Sequence, residues 1–206
     1  MLRIDQLGKR YGDYTVFDGL THVFPAGCYA LCEEDSTGKS TLLGIIAGVI
    51  PPDAGEVWID GHSLAGTPQE ARLRLAYVPD NCMVDPTQTG RELLAQAAAG
   101  KHTTVDEGTL ALARALGLEP HLDKRFEQMS TGTRRKVYLA AASLGHPAVV
   151  IADGASNGLD GPARAVLAQQ FKAWARDRVV LFASHDPELV QACGAATINV
   201  GDLRPA

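Results

Sequence analysis

The stretch LCEEDSTGKSTLLGIIAGVI, Leu31 to Ile50, decides the fold. Its centre, Thr37 to Thr41 (TGKST), follows a short apolar run and opens the apolar segment Leu42 to Ile50. Strand, loop and helix in that order give a phosphate-binding loop its geometry, because the loop amides and the positive end of the helix converge on an anion. In such a loop Lys39 reaches the β- and γ-phosphate oxygens and the Ser40 hydroxyl ligates Mg²⁺. Ser36, Thr37, Gly38 and Thr41 line the phosphates.

The front half of the loop departs from that pattern. Glu33 stands five residues before Gly38, where the first glycine is usual, Glu34 and Asp35 follow it, and Ser36 fills another glycine position. A carboxylate about 5 Å from a phosphate charge costs roughly 3 kcal/mol at an effective dielectric near 20. Nucleotide affinity falls unless these acids face solvent or pair with a base.

The rest of the 206 residues bounds the setting. With 46% hydrophobic residues, 21% charged residues and 21 glycines, the chain reads as a soluble α/β protein of one compact domain. A net charge of −5 argues against a general nucleic-acid binder, which needs a basic surface, so no nucleic acid is expected. Cys28, Cys32, Cys82 and Cys193 show no paired metal-ligand spacing and read as reduced thiols of a cytoplasmic protein. The opening MLRIDQLGKRYGD lacks the charged head and apolar core of a signal peptide. The longest apolar run, Leu42 to Ile50, is far short of a bilayer span, so work at a membrane requires another chain to cross it.

Alternating apolar residues predict antiparallel strands at Leu2 to Leu7, Thr15 to Phe24 and Glu56 to Ile59. Continuous apolar runs at Tyr29 to Cys32, Leu75 to Val78, Val149 to Ala152 and Val179 to Phe182 predict strands buried on both faces, the mark of a parallel core. Helices are expected at Lys39 to Gly48, Gly90 to Ala99, Glu107 to Leu116, Gly132 to Leu144 and Pro162 to Arg176. From about Met83 to Gly145 no strand-like run occurs. The expected fold is therefore α/β: a P-loop NTPase core with an N-terminal antiparallel subdomain, formed by residues 1–82 and 146–206, and an inserted α-helical lobe at about 83–145.

The order of segments along nearly the whole chain resembles the ATP-binding subunit of ABC transporters. KRYGDYTVFDGL is similar to that family's adenine-stacking segment, with Tyr11 at the aromatic position. PPDAGEVWIDG resembles the strand and turn after the first helix, and YVPDNC puts Asp80 where the family has a glutamine. MSTGTRRKVYLAAASLGHP is similar to the signature sequence, whose Ser130 and Gly132 would face the γ-phosphate held by the opposite subunit, although Thr131 and Thr133 replace the usual Gly and Gln. AVVIADGASNGLD resembles the second nucleotide motif: Asp153 would hold Mg²⁺ through its bound water and Asp160 would lie at the subunit interface. The glutamate that polarises the attacking water is replaced by Gly154. His185 in LFASHDPEL resembles the switch histidine that contacts the γ-phosphate.

The resemblance implies an ATP-binding, energy-coupling subunit of a membrane transporter that uses ATP and Mg²⁺. STGTRRK followed by NGLD, with the chain ending soon after the strand-like TINV, points to a small exporter-type subunit. Its implied partners are another ABC ATPase subunit, as a homodimer or heterodimer, and a separate multi-span membrane protein. The chain would then sit at the inner face of the cell membrane, docked through the groove beside Asp80 and the helical lobe. Loss of a positioned general base costs about a hundred- to ten-thousand-fold in rate, so hydrolysis at the chain's own site is expected to be slow or absent. Asp80 keeps an oxygen with which to ligate Mg²⁺.

Three readings of the acids fit the sequence: a site that need not turn over, with a competent partner site; Asp35 replacing the missing glutamate at the attacking water; or acids that repel ATP and leave a scaffold. The competing function is a regulatory or scaffold protein of ABC type without transport. A P-loop kinase would leave the signature-like segment and His185 unexplained.

Overall fold

The computed structural model describes residues 1–32 and 37–203. The expectations for Glu33, Glu34, Asp35 and Ser36 therefore lie outside the described residues.

The N-terminal hairpin pairs β1 (Leu2–Tyr11) with β2 (Tyr14–Phe24), and Tyr11 faces Tyr14 across a turn at Gly12 and Asp13. Gly12 sits at φ 59°, the left-handed region such two-residue hairpin turns demand. Antiparallel to β1 on its other side runs β4 (Ala54–Ile59), and β5 (His62–Ser63) completes this sheet in the order β2-β1-β4-β5. The second sheet is wholly parallel. It contains β3 (Gly27–Leu31), β6 (Leu75–Val78), β7 (Val149–Ala152), β8 (Val179–Ala183) and β9 (Ala196–Ile198) in the order β6-β7-β8-β3-β9.

The continuous apolar runs occupy the middle of this parallel sheet because both of its faces are covered. Val149, Ile151, Val179 and Leu181 point into one core layer with Leu42, Leu43, Ile45 and Ile46 of α1 (Lys39–Ile46) and the inner face of the antiparallel sheet. Val150, Ala152, Val180 and Phe182 point into the other, against Phe171 and Trp174 of α6 (Gly161–Trp174). Burying a side chain of this size stabilises the fold by about 1.5–3 kcal/mol, and each central strand buries one on both faces at successive residues.

Between Met83 and Gly145 the described residues form α3 (Gly90–Gly100), α4 (Glu107–Ala115), two 3₁₀ turns at Glu119–His121 and Phe126–Gln128, and α5 (Thr131–Ala141), with no strand. The helix starts follow side-chain capping rules. Thr89 and Glu92 form a reciprocal capping box on α3, and Asp106 accepts from the Thr109 amide at 2.7 Å on α4. Lys101 ties this helical lobe to the core, because its ammonium donates to the carbonyls of Arg72, Leu73 and Leu75.

Three short elements had no counterpart in the sequence reading: β5, α2 (Pro68–Leu73) and α7 (Pro187–Cys193). Each spans fewer than eight residues, too few for a hydrophobic period to repeat. The expected helix to Leu144 ends three residues earlier in turns, where the Leu144 amide bonds the Ala141 carbonyl.

Candidate nucleotide site

Four of the candidate residues follow the C-terminal ends of parallel strands, where open α/β sheets bind their ligands. Asp80 follows β6, Asp153 follows β7, His185 follows β8, and Lys39, at the start of α1, follows β3. Gly38 caps α1 at φ 91°, and a Cβ there would lie 2.6 Å from a Val16 methyl carbon, so glycine is required at this place. Lys39 is buried, whereas Ser40 is exposed. Thr37 and Thr41 flank them, both partly buried.

The Ser40 side chain hydrogen-bonds the Asp153 carboxylate, joining the start of α1 to the end of β7. Burial pushes the Asp153 carboxyl above the usual carboxylate range; the Ser40 hydrogen bond opposes that push and the neighbouring Asp80 charge adds to it. A carboxyl raised by burial and by a neighbouring negative charge, beside a hydroxyl, forms a set that a divalent cation relieves. Among the described residues no cluster of three or more His, Cys, Asp or Glu forms a metal cage. The donors present, the Ser40 hydroxyl and the Asp153 carboxylate, are oxygens of the kind Mg²⁺ takes before completing its shell with phosphates and water.

Behind these acids stands a residue that the sequence reading missed. Arg135 of α5 is fully buried, and its guanidinium donates to the Asp153 carbonyl at 2.8 Å, to the Asp80 carbonyl, and to Asp80 Oδ1 at 3.1 Å. Asn157 Nδ2 donates to the same Asp80 oxygen at 2.9 Å. Gly154 lies under this contact at φ 57°, and a Cβ there would overlap Asp80 Oδ1 and come within 2.5 Å of Asn157 Nδ2. A signal for Arg135 did exist: it lies three residues after Gly132 and four before Leu139, on the face of α5 that turns inward.

The remaining candidates are set at varying remove. Ser130 caps α5, its Oγ accepting from the Thr133 amide at 3.1 Å. At Gly132 the helix start presses against the loop after β7, where any Cβ would run into the Gly158 carbonyl. Asp160 caps α6 through the Ala163 amide at 2.8 Å and pairs with Lys136 of α5, also at 2.8 Å. His185 is exposed and lines a cavity of about 470 Å³ with Cys32, Ser184 and Thr197. Tyr11 belongs to the other sheet, at the exposed tip of the hairpin, with the Lys9 ammonium 5.3 Å from its ring centre. All four cysteines are free thiols, three of them buried.

Comparison with known proteins places this geometry. The sequence model of the family described as ABC transporter matches residues 22–157. The chain belongs to the ABC transporter family. The Nod factor export ATP-binding protein I of Paraburkholderia xenovorans is 32% identical over 192 residues, covering 89% of this chain and 62% of that protein. The protein of the same name from Sinorhizobium fredii is 30% identical and is covered over 55% of its length. The chain thus spans about three fifths of the length of the curated relatives it matches.

Among solved structures, an ATP-binding subunit of an ABC transporter superposes with a TM-score of 0.85 at 26% identity, over 98% of this chain and 87% of that one. A dimeric bacterial ABC transporter cassette gives 0.84 at 20% identity over 98% and 95%, a likeness of fold. The P-loop ABC ATPase fold with its inserted helices is thereby established for this chain. No described helix is long and apolar enough to cross a membrane.

Proposed function

We propose that the chain is the ATP-binding, energy-coupling subunit of an ABC-type transporter, exporter-like, with slow hydrolysis at its own site. The hydrogen bond between Ser40 and Asp153 carries the reading: it brings the loop and the second nucleotide motif together although 113 positions, 153 − 40, separate them in sequence. Lys39 takes the β- and γ-phosphates, the amides at the start of α1 hold them, and Tyr11 stacks on the base. Bound Mg²⁺ supplies charge neutralisation between the phosphates, and Ser40 and Asp153 are the pair that would hold it. His185 stands at the γ-phosphate end.

Ser130 and Gly132, at the start of α5, serve the nucleotide of a second ABC subunit, and Asp160 lies at that interface. ATP held between two subunits favours the closed pair in proportion to its preference for that state, so slow turnover is compatible with coupling. The hydrolysis step is weak because residue 154 has no side chain to hold the attacking water. The membrane protein docks in the apolar groove of about 390 Å³ between β6 and the helical lobe, lined by Tyr77, Val84, Leu93 and Tyr138. The names of the curated relatives, export ATP-binding proteins, support the exporter direction.

Cell fractionation tests the transporter reading directly. The chain is expected in the membrane fraction, released by alkaline wash as a peripheral protein. Full recovery in the soluble fraction, with Mg-ATP binding intact, would favour the regulatory or scaffold reading instead.

A further inference from the structure

Gly154, which the resemblance sets at the place of a glutamate, neighbours Asp80. The two positions meet in space: the Asp80 carboxylate lies where the first side-chain atom of residue 154 would stand. Asp80 Oδ1 is held there by two donors from different elements, Arg135 of α5 and Asn157 of the loop after β7. The Asp80 side chain as a whole is 59% exposed, so this carboxylate is anchored on the protein side and open to solvent. Arg135 is fully buried, and its fixed positive charge offsets the carboxylate beside Asp153.

We infer that Asp80 supplies the carboxylate that position 154 lacks, holding the attacking water for the slow hydrolysis proposed above. The inference rests on the nucleotide-site reading and assigns Asp80 to the water, leaving Ser40 and Asp153 as the metal pair. In the step, the water oxygen bonds the γ-phosphorus while the bond from that phosphorus to the β–γ bridging oxygen breaks. The bridging oxygen keeps the electron pair in ADP. One water proton stays on inorganic phosphate and the other passes to solvent. Asp80 accepts a hydrogen bond from the water throughout and ends unchanged. Arg135 and Asn157 act through Asp80 as positioning residues.

Asp80→Asn tests the assignment, since the amide oxygen keeps an acceptor for Arg135 and Asn157 while the carboxylate is lost. Three quantities are measured on wild type and variant: Mg-ATP affinity by calorimetry, single-turnover hydrolysis, and the lifetime of the ATP-bound complex. The expected result is an affinity within about threefold of wild type, hydrolysis slower by about a hundredfold or more, and an ATP complex that persists correspondingly longer. Equal hydrolysis by wild type and Asp80→Asn, or wild-type hydrolysis no faster than that of Lys39→Ala, would overturn the Asp80 assignment while leaving the binding site intact. Failure of wild type to bind Mg-ATP would overturn the nucleotide-site reading, and this inference with it.

Discussion

A glutamate placed at position 154 should bring little catalysis, and the structure gives the size of its cost. Gly154 sits at φ 57°, where a residue with a Cβ costs about 1–2 kcal/mol. The new Cβ also overlaps Asp80 Oδ1 and lies 2.5 Å from Asn157 Nδ2, so the 2.9 Å hydrogen bond between those two must break. That bond contributes about 1 kcal/mol, at the low end for a charged acceptor because Asp80 is exposed. Gly154→Glu is therefore expected to lower stability by about 2–3 kcal/mol in urea unfolding and to raise turnover little.

Gly154→Ala should lose nearly as much, since the offending atom is the Cβ and not the new charge. A Gly154→Glu protein as stable as wild type and faster at hydrolysis would refute the reasoning.

Arg135→Met leaves the carbonyls of Asp80 and Asp153, the latter buried, without this donor and should cost about 3 kcal/mol, measured by chemical denaturation; a loss under about 1 kcal/mol would mean the guanidinium is not needed to hold the loops. On the proposed base stacking, Tyr11→Ala should weaken Mg-ATP binding by about tenfold while Tyr11→Phe leaves it unchanged, since the ring face and not the hydroxyl would meet the base. The carboxyl of Asp160, through its Lys136 hydrogen bond and the Ala163 amide, and that of Asp106, through the Thr109 amide, are both held below the ordinary value of 3.8. Their folded values lie below the unfolded ones, so their contribution is complete above about pH 4 and is lost as the pH falls below it. Urea midpoints at pH 7, 4 and 3 should show the drop in the last interval, smaller in Asp160→Asn.

What the sequence disclosed and what it hid have physical causes. Parallel strands covered on both faces read as unbroken apolar runs, so Val149 to Ala152 and Leu75 to Val78 were legible to the residue. The start of α1 at Lys39 was legible because an apolar strand and an apolar helix stand close together in the sequence. The contact of Asp80 with Asn157 was not, because it joins residues 77 apart and depends on a backbone angle at Gly154 that glycine adopts as readily as any other. Arg135 was hidden for a related reason: a charge in a basic run, TRRK, reads as a solvated face until the helix is seen to turn it inward. The same gap explains why Asp80 and Gly154, far apart in sequence, meet in the fold.

Mg-ATP calorimetry on the purified chain, with Lys39→Ala as the control, tests the central claim most directly. The account predicts micromolar binding to wild type and its loss in the variant. No binding to either protein, or equal binding to both, would contradict a nucleotide site built on Lys39, Ser40 and Asp153.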